Sequence, residues 1–173
     1  GIKFKNGKAY SGERTEIGYN LKAGFSFNLN KENSVFVNGG KYSRQPYLNN
    51  MFVRNTVTFV EPTVNNEEIQ SIEAGYRYKT RTLRVNINAY YTEWDNRADT
   101  YNDKDYTDSN NQIHKNVRYL LNNLSQVHKG LEVDFDAKVT RDWTIRGYAS
   151  AGDWRYQGNF TYQVQDTDTQ EIV

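Results

Sequence analysis

The stretch IGYNLKAGFSFNLN, residues 17–30, alternates apolar and polar side chains without interruption. Its apolar or aromatic side consists of Ile17, Tyr19, Leu21, Ala23, Phe25, Phe27 and Leu29. A period of two is the pattern of a β-strand with one apolar face. Strands of soluble domains are usually about 5–6 residues long, whereas about 9–11 tilted residues are needed to cross a bilayer. The length of the stretch therefore favours a strand that crosses a membrane.

The same two-residue period returns along the chain. Four further stretches share it, at residues 70–79, 83–92, 130–139 and 143–152. A weaker candidate spans 34–42, where three apolar residues run together and two glycines blur the faces. We therefore predict an all-β fold, an antiparallel up-and-down meander of about six long strands.

The predicted connections alternate between short and long. Residues 30–34, 79–82 and 140–142 read as tight polar turns, whereas 44–67, 94–123 and 155–173 are long and polar. Compact soluble domains rarely contain unstructured connections longer than about 12–15 residues. Outer-membrane barrels have short periplasmic turns and long extracellular loops. The pattern favours part of such a barrel, with an extracellular remnant at 1–16, a transmembrane segment at 17–154, and a loop or the start of the next strand at 155–173.

Composition is compatible with this reading. The mean hydropathy is -0.92, which is low for a membrane protein built of helices. The sequence also contains no apolar run of the roughly 18 residues that a transmembrane helix requires. A barrel strand needs only alternate apolar residues, and the 14% aromatic content suits interfacial girdles. The formal net charge of +1 gives no reason to expect a nucleic-acid partner. With no cysteine, the sequence predicts no disulfide, zinc finger or thiol nucleophile. We also predict no cofactor.

Five short motifs point to a family. They are GKYSRQPY at 40–47, EAGY at 73–76, NAYYTEW at 88–94, HKGLE at 128–132 and SAGDW at 150–154. In this order they resemble the late barrel of TonB-dependent outer-membrane receptors, in particular the branch with an N-terminal carboxypeptidase-regulatory-like domain. The resemblance implies a plugged barrel of about 22 strands in the outer membrane of a Gram-negative bacterium.

The resemblance also implies a set of partners. These are outer-membrane lipid, the plug domain and remaining barrel, the inner-membrane TonB complex, a surface lipoprotein, and a scarce nutrient that is imported. The sequence has no signal peptide, plug or C-terminal aromatic residue. Six strands are fewer than the about eight of the smallest closed bacterial barrel. We therefore expect the chain to be a wall segment of a larger receptor.

Strand parity predicts which charged side chains face the lumen. They are Lys22, Glu73, Arg77, Lys79, Arg84, Glu132, Asp134, Asp136, Lys138 and Arg146. Charged and water-mediated hydrogen bonds from these groups are able to hold a polar plug and to rearrange when it is pulled. The alternative is that they only pair across strands and keep the lumen hydrated.

The ligand is expected to bind to the long loops, because binding residues concentrate there. The candidates combine aromatic rings with acidic, amide and basic groups. They are Trp94, Asp95, Asn96, Arg97, Asp99, Tyr101, Asp103 and Asp105 in one loop, and Trp154, Arg155 and Tyr156 in another. The aspartates do not form a calcium loop, because the glycine and terminal glutamate of an EF-hand are missing. We predict no metal site.

Two other classes of function remain open at this stage. A secreted soluble β-sandwich that binds glycan or protein would bury its apolar strand faces against a second sheet. An outer-membrane esterase or protease would need a nucleophile and base close together. Strict alternation sends Ser125 to the face opposite His128 and Asp134, so we predict no enzyme.

Overall fold

The fold was analysed in a computed structural model that describes residues 4–5, 8–9, 11–53, 56–61, 63–169 and 171–173. It contains nine strands and one short helix within these residues. They are β1 Phe4–Lys5, β2 Lys8–Ala9, β3 Asn20–Asn28, β4 Asn33–Arg44, α1 Leu48–Met51, β5 Glu67–Lys79, β6 Leu83–Thr107, β7 Ile113–Lys138, β8 Thr144–Gln157 and β9 Thr161–Asp166. No helix in this part of the chain is long and apolar enough to cross a membrane.

Strands β3 to β8 form one antiparallel sheet in the order of the sequence. Each strand pairs with the next through a tight turn or a longer connection, so the predicted six-stranded meander is confirmed. Strands β1 and β2 pair separately, within the segment predicted as a loop remnant. Among the described residues β3 and β8 do not pair with each other, so the sheet is an open part of a wall.

The register separates the two faces of this wall. A row of directly paired apolar residues crosses all six strands, through Phe25, Val37, Ala74, Ala89, Leu131 and Ala151. The row beside it on the other face runs through Gly24, Asn38, Glu73, Tyr90, Gly130 and Gly152. We call the first surface the apolar band and the second the polar face.

The apolar band does not form the core of a globule. Leu21, Ile87 and Phe135 on it are 70%, 36% and 39% exposed. A sandwich would bury these side chains against a second sheet, and no such sheet is present in the described part of the chain. The buried apolar cluster is instead small and distant, formed by Val60, Val64, Ala98 and Leu120.

The first predicted strand is shorter than expected. Residues 17–30 alternate throughout, but the strand is nine residues long, from Asn20 to Asn28. At one end, the Asn30 side chain accepts hydrogen bonds from the backbone N–H groups of Glu32 and Asn33 and so closes the turn. At the other end β4 stops at Arg44, which leaves Ile17 without a paired strand.

The prediction that residues 94–123 form a loop is wrong. Strands β6 and β7 continue through this region to Thr107 and from Ile113, and they are joined by a short turn. The hairpin contains several register shifts, and Asn96, Asn116 and Asn123 have positive φ angles. Outside a membrane both faces of a hairpin can be polar, so the apolar alternation that marks a strand disappears.

The described part of region 155–173, predicted as a loop or the start of the next strand, contains strand structure. Strand β8 extends to Gln157, and after a break at Gly158, where φ is 75°, β9 continues along β7. A bridge between Gln165 and Ile172 then turns the chain back. The described residues between β4 and β5, at 45–53, 56–61 and 63–66, form a connection that contains α1 and packs on the hairpin through Val60 and Val64.

Candidate ligand-binding site

Five aromatic or imidazole side chains lie together on the polar face, near the level where the apolar band ends. We call this set the aromatic platform: Tyr90, Trp94, His128, Trp154 and Tyr156. The register brings them together, because His128 is paired with Trp154 and Gln126 with both Trp94 and Tyr156. The centroid of the His128 ring lies 4.5 Å from that of Trp94, at an interplanar angle of 61°, and 6.1 Å from that of Trp154.

Two glycines allow the platform to lie close to the sheet. Gly130 and Gly152 stand beside Tyr90 in one row. A Cβ at Gly130 would lie 2.8 Å from the Tyr90 hydroxyl, and one at Gly152 would lie 3.1 Å from Trp154 Nε1. Across this gap the Trp154 Nε1–H donates a hydrogen bond to the Tyr90 hydroxyl at 3.0 Å. Trp154 is nevertheless 63% exposed, so its ring is held in place and is open to a ligand.

An ion-pair network borders the platform. Glu67 is 2% exposed and lies between Arg44 Nη2 at 2.5 Å and Arg97 Nε at 3.7 Å. Arg97 also donates a hydrogen bond to Gln126, which is paired with Trp94. The charge of Arg97 is therefore already matched inside the protein. This region therefore offers a ligand aromatic surface for stacking and hydrogen-bonding groups, and little unpaired charge.

Replacing Glu67 with glutamine tests whether this network holds the base of the hairpin. Both arginines lose their carboxylate but keep access to water, so we expect local stability to fall by about 1–2 kcal/mol. Hydrogen exchange of β6 and β7 near Arg97 measures the change. The matched control is Glu68→Gln, which removes an exposed pair with Lys41 at 3.1 Å and should have a much smaller effect, because water screens that pair. Equal effects of the two variants would contradict a structural role of Glu67.

The structure divides the predicted ligand-binding residues into separate groups. Trp94, Trp154 and Tyr156 belong to the platform and Arg97 borders it. Asp95 and Arg155 do not join them, because Asp95 pairs with Glu68 and Arg155 with Val127, on the side of the apolar band. Asp95 instead accepts a hydrogen bond from the Ser125 hydroxyl at 2.8 Å.

The other predicted residues lie higher in the hairpin. Asn96 lines a small pocket of about 80 Å³ with several other asparagines. Asp99 accepts a hydrogen bond from the backbone of Thr100 at 2.8 Å, and Tyr101 is paired with Tyr119. Asp105 is exposed, and the side chain of Asp103 lies outside the described residues.

Tyr90 and His128 were missed as ligand-binding candidates. Tyr90 lies in the predicted strand 83–92, and the alternation of β6 puts it in phase with Trp94. His128 precedes the predicted strand 130–139 by two residues and is in phase with the polar side of that strand. Both predicted strands end before the residues of the platform do, so the pattern does not show that the faces continue.

The predicted lumen-facing charges do share the polar face. Asp136 lies 3.6 Å from Arg84 and 3.0 Å from Arg146, and Asn86 donates to Asp134 at 2.8 Å. Glu132 accepts a hydrogen bond from Tyr148, and Glu73 accepts one from Asn38. Lys22 lies over Tyr42, and Arg77 lies over Phe36 with 4.2 Å between its guanidinium and the ring centroid. Their contact with a plug stays a prediction.

A second polar cluster ties together the tips of two hairpins. His114 Nε2 lies 3.4 Å from Asp108, and its Nδ1 lies 3.6 Å from Asp166. Each aspartate also accepts backbone N–H bonds from its own turn. These backbone hydrogen bonds lower the pKa of both carboxyls from the ordinary value of 3.8. The largest effect comes from the Gln112 N–H at Asp108 and from the Thr169 N–H at Asp166. The neighbouring His114 lowers both pKa values further.

The tip cluster should therefore loosen in acid. A carboxyl whose pKa is lowered in the folded state stabilises that state above its unfolded pKa, and the effect is lost as pH falls below about 3.8. Hydrogen exchange of both turns, corrected for the intrinsic rate, should rise as the pH falls below about 3.8. In Asp108→Asn the side-chain oxygen still accepts the turn bonds but does not titrate, so this rise should shrink. An unchanged pH response in that variant would contradict the assignment.

These features together define a class of protein. A single antiparallel sheet with an exposed apolar band on one face and a polar opposite face is the wall of a membrane-spanning barrel. The family model described as TonB dependent receptor-like, beta-barrel matches residues 3–172, and the chain belongs to this family. Neither a curated protein nor a solved structure matches the chain.

Membership places the protein in the outer membrane of a Gram-negative bacterium, among transporters and receptors. Receptors of this family in general have a plug domain, interact with TonB and bind a nutrient ligand. We therefore expect the apolar band to face lipid and the polar face to line the lumen. A surface lipoprotein as partner stays a prediction.

Proposed function

We propose that this chain forms the part of a nutrient importer that receives the ligand at the top of the lumen, on the aromatic platform. The observation that supports the proposal most directly is the exposed ring of Trp154. It is oriented by Tyr90, is adjacent to His128, and lies on the polar face at the outer end of the apolar band. Aromatic faces of this kind bind ligands through stacking and the exclusion of water.

The site is suited to binding a ligand that arrives from outside the cell, and it does not have the arrangement of an active site. The described residues contain no group of three or more histidine, cysteine or carboxylate side chains able to hold a metal ion. Ser125 is bonded to Asp95, and His128 lies between two tryptophans. The surrounding charges are paired within the wall, which favours a ligand recognised by its flat faces and polar groups.

Import would then proceed through the lumen below the platform. The lower polar face carries charged groups that pair across strands through contacts of about 3–4 Å. Such contacts exchange readily for water or for other charged groups, so a plug moved by the TonB complex could break and remake them. The chain itself supplies the fixed wall for this movement.

The proposal is tested by comparing a strain that lacks the full-length receptor gene with its parent. Both strains are grown on a complex medium, and mass spectrometry follows which solutes disappear. We expect at least one solute that only the parent depletes, and a receptor carrying Trp154→Ala should restore its depletion poorly. Identical depletion by parent and deletion strain, with the receptor expressed, would contradict a role in import.

A further inference from the structure

The apolar band contains a groove across β3, β4 and β5. Its floor is formed by Ala23 and Gly39, which are directly paired and have little or no side chain. Larger apolar side chains surround this floor, and they are Leu21, Phe25, Val37 and Ile72. The open space between them is about 370 Å³. We call this space the band groove.

The glycine in the floor of the band groove is not covered by a neighbouring side chain. Gly147, on the same face of β8, is covered, because the ring of Phe135 opposite occupies the place that a Cβ would take. Of the described residues, a Cβ on Gly39 would meet only the Ser71 carbonyl oxygen, at the ordinary contact distance of 3.5 Å. The wall therefore leaves the space above Gly39 to a molecule from outside the chain.

A cation lies at the end of the band groove that is farther from the short turns. Lys41 follows Val37 by four residues on β4, on the same side of the sheet, so the two are about 13 Å apart along the strand. The Lys41 ammonium lies 3.1 Å from Glu68, and the lysine side chain is 45% exposed. Because an ammonium has three N–H donors, Lys41 is able to bind a second acceptor.

An apolar groove with a cation at one end is complementary to a phosphorylated lipid. Apolar area alone does not favour the groove in a bilayer, because lipid tails are as apolar as the wall. Close packing does favour it, because a gap that stays unfilled loses dispersion contacts on one side. At the end of a membrane-spanning strand a lysine reaches the level of the headgroups, where the phosphates of lipids are the nearest anions.

We propose that the band groove binds one phosphorylated membrane lipid, with an acyl chain over Gly39 and a phosphate oxygen bound to Lys41. The proposal goes beyond the import function and needs only that the apolar band faces lipid, as expected for this family. The width of the groove favours an acyl chain over a protein partner. Its two sides, on β3 and β5, are two strand spacings or about 10 Å apart between backbones, which is too narrow for an α-helix of about 10–12 Å with its side chains.

Native mass spectrometry of the intact receptor, released from outer membranes in mild detergent, tests the proposal. We expect one phosphorylated lipid to stay bound at a collision energy that removes the others. Gly39→Leu fills the floor of the groove and should reduce the fraction of receptor with this lipid several-fold, and Ala23→Leu fills the same floor from β3. Ala149→Leu adds the same side chain elsewhere on the apolar band and should leave the fraction unchanged. Heat-modifiable migration confirms that each barrel is assembled.

The contribution of the headgroup is measured separately with Lys41→Met, which removes the charge and keeps an unbranched side chain. This variant should also lower the retained fraction several-fold, whereas Lys129→Met, at the same end of the band but outside the groove, should not. A wild-type receptor that retains no lipid, or equal retention by Gly39→Leu and Ala149→Leu, would overturn the proposal. A retained lipid without phosphate, or a protein in its place, would also overturn it. The measurement needs no nutrient, so a failure of ligand capture at the platform does not affect it.

Discussion

Replacing Trp154 with alanine in the intact receptor should weaken the affinity for the imported solute by about 30-fold or more. Removing an exposed, oriented aromatic anchor from a binding site costs about 2 kcal/mol or more, and each 1.4 kcal/mol corresponds to about a tenfold change in the dissociation constant. The same variant also releases the Tyr90 hydroxyl from its hydrogen bond. Calorimetric titration with the solute that only the parent strain depletes measures the change.

The chain offers a matched control in Trp143. Its side chain is 71% exposed, close to that of Trp154, but it lies at the turn before β8, at the opposite end of the sheet. Trp143→Ala should leave the affinity unchanged, and Trp154→Phe should retain part of it because a ring remains. Equal affinity of wild type and Trp154→Ala would remove the platform as the ligand site.

A second large effect is expected from a charge placed on the apolar band. Ala149 lies there in a row with Val133, Ile87 and Tyr76. An arginine at the bilayer midplane of a barrel costs about 2–4 kcal/mol, so Ala149→Arg should sharply reduce the amount of assembled receptor. Heat-modifiable migration of the outer-membrane fraction measures assembly.

The neighbouring residue provides the control for this experiment. Ser150 lies on the polar face, in a row with Glu132. Ser150→Arg introduces the same side chain one position along the strand, where water and the Glu132 carboxylate are able to accept it. We expect assembly close to that of wild type. If Ser150→Arg were as harmful as Ala149→Arg, the assignment of the two faces would be wrong.

The sequence predicts the fold best where the two faces of the sheet differ in polarity. Between Leu83 and Thr92 the residues alternate between the apolar band and the polar face, so the alternation identifies the strand and its faces. Beyond Trp94 the hairpin is polar on both faces, so its sequence shows no such contrast. Register shifts there also interrupt the period of two. The strand ends were therefore wrong while the order of the strands was correct.

The candidate site shows the same limit. Trp94, Trp154 and Tyr156 are predicted as aromatic residues of the long polar segments, and the structure brings them together through the pairing of β6, β7 and β8. Asp95 and Arg155 are predicted as their charged neighbours in the sequence and lie on the other face. The alternation of side chains along a strand separates these two groups. It applies to them only because β6 and β8 continue past the ends predicted from the sequence. The role of Glu67 depends on a contact across the sheet that no short motif contains.

The length of the β6–β7 hairpin determines which part of the cell surface first meets the environment. At about 3.3 Å per residue, the arm from Trp94 to Thr107 is up to roughly 40 Å long. We therefore expect the turn after Thr107 to lie far outside the hydrocarbon of the membrane. Antibodies raised against that turn should label living cells, whereas antibodies against the walls of the pore should not.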